Sequence, residues 1–512
     1  VVRVKELTMP TRTAPPALLR RRPETEGVDS AGITAFLAAV DRDLGGLHGF
    51  MLLRHGRVLA EGAWTPYAAA LPHQLFSLTK SFASTAIGLA VSEGLLSVDT
   101  PVLSLFPDAA PATPGDHLRA LRVRHLLSMS TGHHTDPTGA MTAAADGDWV
   151  RAFLAQPIEH APGTYFVYNS GASHLLAEIV TRLTGQDLRE YLRPRLFEPL
   201  GIAEPAWETS PRGVRIGGWG LSLRLEDIAR FGQLYLQRGT WRGRRILPEA
   251  WVAEATAWQV DNGPRPEKDW EQGYGYQFWR CQHGACRGDG AFGQFCIVLP
   301  EQEAVVAILA GLGNMQAVLD RVWEHLLPAV GPTPRASAPA ARRTLRQALA
   351  GLHVPRAEGG PTSALVPTLA GATFRFAPNP RHLAALTCRE LGGDTCAFDL
   401  TDDTGSTHRL AAAHGRWLNS TTTLGGWRSS ITPLDQRSAA VPVAGTYGWP
   451  APDILQLKLC FPLTPFCQIW TLRFTGDRLV LQQRANVSFG PVGSPDLEGQ
   501  RCRSHSGAAT IR

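Results

Sequence analysis

In GVDSAGITAFLAAVDRDLGG the apolar residues recur every three or four positions behind Asp29 and Ser30, which predicts an amphipathic helix capped at its N-terminus. The rhythm changes at GFMLLRHGRVLAEGAW, where two apolar runs flank Arg54-His55-Gly56-Arg57 and predict a β-hairpin. From Leu75 to about Gln237 helical spacing returns, interrupted by Pro/Gly-rich loops. YGYQFWRCQHGACRGDGAFGQFCIVLPEQEAVVAILAG then reads as strands with turns expected over 284–290 and 300–303, followed by a helix around 316–327. Strands early, helices in the middle and strands late predict an α+β fold in which one antiparallel sheet is split by a helical insertion.

A second pattern begins after PAVGPTPRASAPAARR, a Pro/Ala-rich stretch that reads as a linker. One short helix, TLRQALAGL, precedes the short alternating runs ATFRFAP, LQLKLCF, IWTLRF and RLVLQQ, with a hairpin turn expected at Thr475-Gly476-Asp477. The expected organisation is a disordered leader over 1–27, a first domain over 28–328, a linker over 329–343 and a β-rich C-terminal domain over 344–512. No internal repeat is evident.

Composition narrows the function classes. A chain of 512 residues exceeds what one core usually supports, and 44% hydrophobic with 19% charged residues describes an ordinary globular protein. The formal net charge of +5 is not gathered into a basic stripe with interleaved aromatics, so nucleic acid is not an expected partner. No window approaches the roughly 18 apolar residues of a membrane span, so no membrane partner is expected either. The leader has basic residues but no apolar core of a signal peptide, and the eight cysteines are scattered over the second half. Reduced thiols and a cytoplasmic location are the expectation from both. Oligomeric state is not legible.

The chemistry starts from lysine usage. Of 50 basic residues only Lys5, Lys80, Lys268 and Lys458 are lysines. Arginine stays charged inside proteins, whereas a buried lysine can lose its proton and act as a base. Lys80 lies in LFSLTKSFASTAIGLA, three residues after Ser77, so on a helix the two side chains share a face. A first-turn position gives Ser77 the positive end of the helix dipole, and Phe76, Leu78, Phe82 and Ile87 are placed to exclude water and depress the lysine pKa. A helix-starting serine with a lysine reaching to solvent satisfies the same four residues equally well. In FVYNSGASHLLAEIVTRLTG, Tyr168 stands in a turn before a helix, where its phenol either faces the same pocket or packs on the core. GDGAFGQFCIVLP puts glycines just before a strand, where backbone N–H groups can approach a substrate.

Taken together these stretches resemble the serine β-lactamase-related hydrolases, which include class C β-lactamases, D-Ala-D-Ala carboxypeptidases, esterases and 6-aminohexanoate-dimer hydrolases. SLTK is similar to their nucleophile motif, PGTYFVYNSGASHLLAEIVTRLTG with LFEPLGI to their tyrosine motif and its helix, and RVRHLLSMSTGH and LSLRLEDIARFGQLYL to two structural signatures. GDGAFGQ stands where the family has its Lys-Thr-Gly-like motif. The resemblance implies Ser77 as acylated nucleophile, Lys80 as general base, Tyr168 as proton shuttle, and the backbone N–H groups of Ser77 and Ala291 as an oxyanion hole. It also implies substrate-binding positions at Ser170, Gly288, Asp289 and Gly290. Two departures stand out. Ser170 replaces the usual third residue of the Tyr-x-Asn motif, and Gly288-Asp289-Gly290 replaces the Lys-Thr-Gly-like triplet, so its carboxylate-binding cation is missing and an acid stands beside the gap. A small ester or amide is therefore the expected substrate, with a D-peptidase or β-lactamase, or a catalytically weak ligand-binding relative, as alternatives.

Rival motifs carry less. GDGAFG is a literal G-x-G-x-x-G, but the dinucleotide fingerprint needs a helix after it and FCIVLPEQE reads as strand and turn. Cys281, His283, Cys286 and Cys296 fit no standard zinc spacing, so neither metal nor cofactor is expected. His133 and His134 are candidate pocket residues or solvated loop histidines. Neither G-x-S-x-G nor H-E-x-x-H occurs. Trp270, Tyr274, Tyr276, Phe278 and Trp279 are expected to form core on one face and an apolar slot on the other.

Overall fold

The computed structural model describes residues 17–203, 205–424 and 440–502. Helix α1 (Ser30–Asp43) starts where the pattern placed it, with the Asp29 carboxylate accepting from Ala31 N–H as cap. Strands β1 (Leu47–Arg54) and β2 (Arg57–Ala63) form the expected hairpin. After the helical insertion come β3 (Trp279–Arg280), β4 (Cys286–Gly290), β5 (Gln294–Leu299) and β6 (Ala304–Ala310). All six make one antiparallel sheet in the order β2-β1-β6-β5-β4-β3. The early and late strands thus meet as β1 against β6, Leu53 opposite Val305, and the helical segment lies between them in sequence.

Every residue of β1, β5 and β6 is buried, because helices cover both faces of the sheet. On one face Met51, Leu53, Val298 and Val305 join the core of the insertion, which includes α2 (Thr79–Ser92), α3 (Ser170–Thr184) and α4 (Leu225–Leu236). On the other, Phe50, Leu52, Phe295 and Ile308 pack with α1 and α5 (Met315–Arg321).

Four sequence expectations change, the last of them in the linker. The expected turn over 284–290 ends as strand β4, because Gly288 and Gly290 serve close packing rather than reversal: a Cβ on Gly290 would lie 1.9 Å from the Leu75 carbonyl oxygen. Of the leader, residues 1–16 lie outside the described residues, whereas the part from Ala17 on is held in place: Leu18 is buried, its N–H donates to Glu226 at 3.0 Å, and Arg20 pairs with Glu61 and Glu226. Cys460 and Cys467 face each other across a hairpin with Cα atoms 4.2 Å apart and form a disulfide, so the eight cysteines are not all reduced. The other six cysteines are free, five of them buried. Among the described residues no helix is long and apolar enough to cross a membrane.

Helix α6 (Pro339–Ala350) begins inside the stretch read as a linker and lies against the first sheet and α1, where Leu345 and the following Leu352 and Val354 join the α1 core. Ten strands follow: β7 (Thr373–Phe376), β8 (Leu383–Glu390), β9 (Thr395–Asp402), β10 (Thr407–His414), β11 (Leu418–Thr422), β12 (Val441–Ala451), β13 (Ile454–Cys460), β14 (Cys467–Thr475), β15 (Arg478–Ala485) and β16 (Leu497–Arg501). They run β10-β9-β8-β7-β16-β15-β14-β13-β12-β11, and a parallel pairing of β10 with β12 closes them into a barrel. Closure removes most of the free edge that such a sheet would otherwise expose. The β14–β15 hairpin turns on Gly476-Asp477, with Thr475 opposite Arg478, at the expected place.

Candidate active site

Ser77 sits in a single tight helical turn, Phe76–Leu78, that runs straight into α2. Lys80, in the first turn of α2, is 1% exposed. Its Nζ lies 2.9 Å from Ser77 Oγ, 3.0 Å from Ser170 Oγ and 2.7 Å from the carbonyl oxygen of Gly218. Burial pulls the amine from its ordinary 10.5 down to about 7, against the nearby charges of Asp136 and Asp289. The lysine does not reach for solvent. Gly218 O can only accept, so a neutral Lys80 donates there and keeps its lone pair free for the Ser77 hydroxyl.

Tyr168 precedes α3, whose N-terminus is capped by the buried Asn169 side chain accepting from Ala172 N–H at 2.9 Å. This cap orients the Tyr168-Asn169-Ser170 turn. The neighbouring Ser77 side chain opposes the upward shift of the phenol's pKa, and Lys80 Nζ stands 4.8 Å from the centre of its ring. Trp279 stacks on the ring, centroids 5.2 Å apart, and Tyr274 meets it edge-on. Burial, with the Asp289 charge adding to it, holds the phenol well above its usual range, so it stays protonated.

The third sequence-derived segment runs along β4. Gly288 and Gly290 turn towards α2: Cβ atoms there would fall 2.4 Å from Leu78 Cδ1 and 1.9 Å from Leu75 O, respectively. Strand β4 and the Ser77 turn therefore touch through backbone, and Ala291 follows immediately. Asp289 is not a free acid. Arg287, two residues earlier on the same strand face, donates from Nε to its carboxylate at 2.9 Å, and the guanidinium packs 4.2 Å from the Trp270 ring centre. Burial raises the Asp289 carboxyl above its usual range while Arg287 opposes the shift. The expected aromatic slot is thus partly a lining for this ion pair.

The other candidates lie elsewhere. His133 is buried, bonds Thr131 Oγ1 at 2.8 Å and is pushed by burial to about 4, a neutral packing residue. His134 stacks with Tyr165 and lies 3.2 Å from a nitrogen of His160 in an exposed loop. Cys281 packs on one face of the sheet and Cys286 and Cys296 on the other, and among the described residues no group of three or more His, Cys, Asp or Glu is arranged to hold a metal. Two contributors escaped the sequence reading. Gly218 lies in IGGWG, where a Cβ on Gly217 would lie 2.1 Å from Ser173 O, so the run of glycines was the available signal. Asp136 acts through its charge on Lys80 and Tyr168, and nothing in its local sequence marks it.

A family model described as Beta-lactamase matches residues 38–324, more than half of the chain. The chain belongs to the beta-lactamase family. It is 26% identical over 289 residues to a 6-aminohexanoate-dimer hydrolase of Paenarthrobacter ureafaciens, covering 51% of this chain and 71% of that one. It is 30% identical over 152 residues to a lovastatin esterase of Penicillium rubens, covering 25% of this chain and 38% of the esterase. Among solved structures, a protein described as a putative 6-aminohexanoate-dimer hydrolase from Bacillus anthracis superposes with a TM-score of 0.50 at 19% identity, over 60% of this chain and 87% of its own, a likeness of fold. The relatives named here are hydrolases, and this chain has the fold and family of serine hydrolases.

Proposed function

We propose that this family member is a serine hydrolase that cleaves a small ester or amide through an acyl-enzyme on Ser77. The observation that carries the reading is the buried Lys80 amine, 2.9 Å from Ser77 Oγ, with its pKa brought to about 7. At neutral pH about half of such amines are free base. Neutral Lys80 takes the hydroxyl proton as Oγ attacks the substrate carbonyl. The backbone N–H groups of Ser77 and Ala291 receive the developing oxyanion, held together by the close approach of Gly290 to Leu75. Tyr168, kept protonated by burial and lying beside Ser77, hands its proton to the leaving group and takes one back from the water that frees the acyl group, while Lys80 returns its proton to Ser77 Oγ as that oxygen departs. Ser170 and the Gly218 carbonyl hold the amine in place through both half-reactions.

The Arg287–Asp289 pair sums to zero charge where a carboxylate-binding cation was missing from the sequence, and this favours uncharged acyl groups over carboxylate-bearing lactams or peptides. Fluorophosphonate labelling with peptide mapping, beside turnover of short-chain p-nitrophenyl esters, tests the proposal. Label on Ser77 and kcat/KM rising with pH to a plateau above about 7 are expected, because Lys80 must lose its proton to act. Absence of label on folded protein, or activity that is flat from pH 5 to 9, refutes it.

A further inference from the structure

We propose that the C-terminal barrel is a working part of the catalytic site, in which Phe466 and Phe489 position the two backbone segments that carry the N–H groups of Ser77 and Ala291. The inference rests on the hydrolase reading above and adds to it residues from a domain with no catalytic signature of its own. Phe76, just before Ser77, has φ 49°, and Phe292, just after Ala291, has φ 70°. Bulky side chains rarely enter this left-handed region, and such a conformation persists only where the surroundings enforce it. Here both oxyanion-hole segments depend on such a residue.

What enforces it is a cluster of four phenyl rings. Phe76 and Phe292 meet edge to face with centroids 5.5 Å apart. Phe466 lies 6.2 Å from the first and 5.7 Å from the second, and Phe489 5.6 Å and 4.7 Å, while Val487 is buried beside them. Each barrel ring therefore touches both flanks of the proposed oxyanion hole. The barrel loops are themselves fixed to the catalytic body. Leu463 O accepts from Gln74 N–H at 2.9 Å, and the Asn486 side-chain amide donates to Gly311 O at 2.9 Å and to Pro465 O at 2.8 Å. Asn486 Oδ1 accepts in turn from Cys467 N–H at 2.7 Å, so one side chain ties both barrel loops to the end of β6. Gly311 is required at that contact, since a Cβ there would lie 2.2 Å from Pro465 O.

Oxyanion donors work only when aimed, and a displacement of about 1 Å can cost on the order of 100-fold in rate. Phe489 is 66% exposed, so deleting its ring removes a contact from Phe76 and Phe292 with little loss of core. The test uses the full-length protein with Phe466→Ala, Phe489→Ala and the conservative Phe489→Tyr. The readouts are kcat and KM on p-nitrophenyl butyrate, inhibition by phenylboronic acid as a tetrahedral analogue, and melting temperature. Positioning predicts that Phe489→Ala lowers kcat about tenfold or more, leaves KM within about twofold, weakens the boronate in parallel and is restored by Phe489→Tyr. If Phe466→Ala fails to fold, Phe489→Ala alone decides. An unchanged kcat, or a loss confined to KM, overturns the proposal, the latter because it would mean that the rings touch substrate instead. A wild type that neither labels nor turns over any ester overturns the hydrolase reading, and this inference with it.

Discussion

Lys80→Met separates the catalytic from the structural consequences of one buried amine. Methionine keeps an unbranched apolar stem of similar length and removes the charge and the base. A lysine whose pKa falls from 10.5 to about 7 on folding opposes folding by about 5 kcal/mol at pH 6 and about 2 kcal/mol at pH 9. The sign follows from the depressed folded-state value. The unfolded chain binds more protons between 7 and 10.5, so wild-type stability rises with pH across that window, and below 7 the full penalty is present. Methionine escapes the penalty but leaves Ser170 Oγ and Gly218 O without their donor, a loss of roughly 1 to 3 kcal/mol per buried group. The absolute change is therefore a balance, whereas its pH dependence is not: the stability of Lys80→Met relative to wild type should fall by about 3 kcal/mol between pH 6 and pH 9. Urea denaturation at the two pH values measures this, and ester turnover on the same samples should drop about 10² to 10⁴-fold. A stability difference that is the same at both pH values would mean that the amine titrates as if in water, and near-normal turnover would remove Lys80 as base.

Asp289→Ala leaves the Arg287 guanidinium buried without its carboxylate, which should destabilise by about 3 to 5 kcal/mol, read as a lower urea midpoint at unchanged m-value. A chain ended at Ala338 loses Leu345, Leu352 and Val354 from the α1 core and should aggregate on expression, whereas recovery of a soluble, Ser77-labelling fragment would show that this packing is dispensable. Short acyl esters should exceed a chromogenic cephalosporin in kcat/KM by about ten- to a hundredfold, because Arg287, the cation next to Gly288, is already paired with Asp289; a cephalosporin that outruns every ester refutes this.

The sequence by itself determined the local elements and named the residues of the candidate site. The α1 cap, the β1–β2 hairpin and the Gly476-Asp477 turn are set by neighbours a few positions apart, and Ser77 and Lys80 meet because one helical turn separates them. The motifs in order carried the family, since their spacing reflects one fold. Tertiary structure decided what depends on contacts between distant residues. The Lys80 pKa required knowing that Ser170 and Gly218 enclose the amine, and the pairing of Arg287 with Asp289 required knowing that β4 buries that face. Glycines that read as a turn proved to be strand, because their missing Cβ atoms make room for Leu75 and Leu78 some 200 positions away. The Cys460–Cys467 disulfide follows from hairpin register, which cysteine counting does not contain. Above all, Phe466 and Phe489 lie in a barrel whose sequence has no catalytic motif, and only the docking of that barrel brings their rings against Phe76 and Phe292. Periodicity and spacing report what a chain does to its near neighbours. Burial, charge pairing and domain contact are properties of the closed fold, and they set the chemistry of a group whose identity the sequence has already supplied.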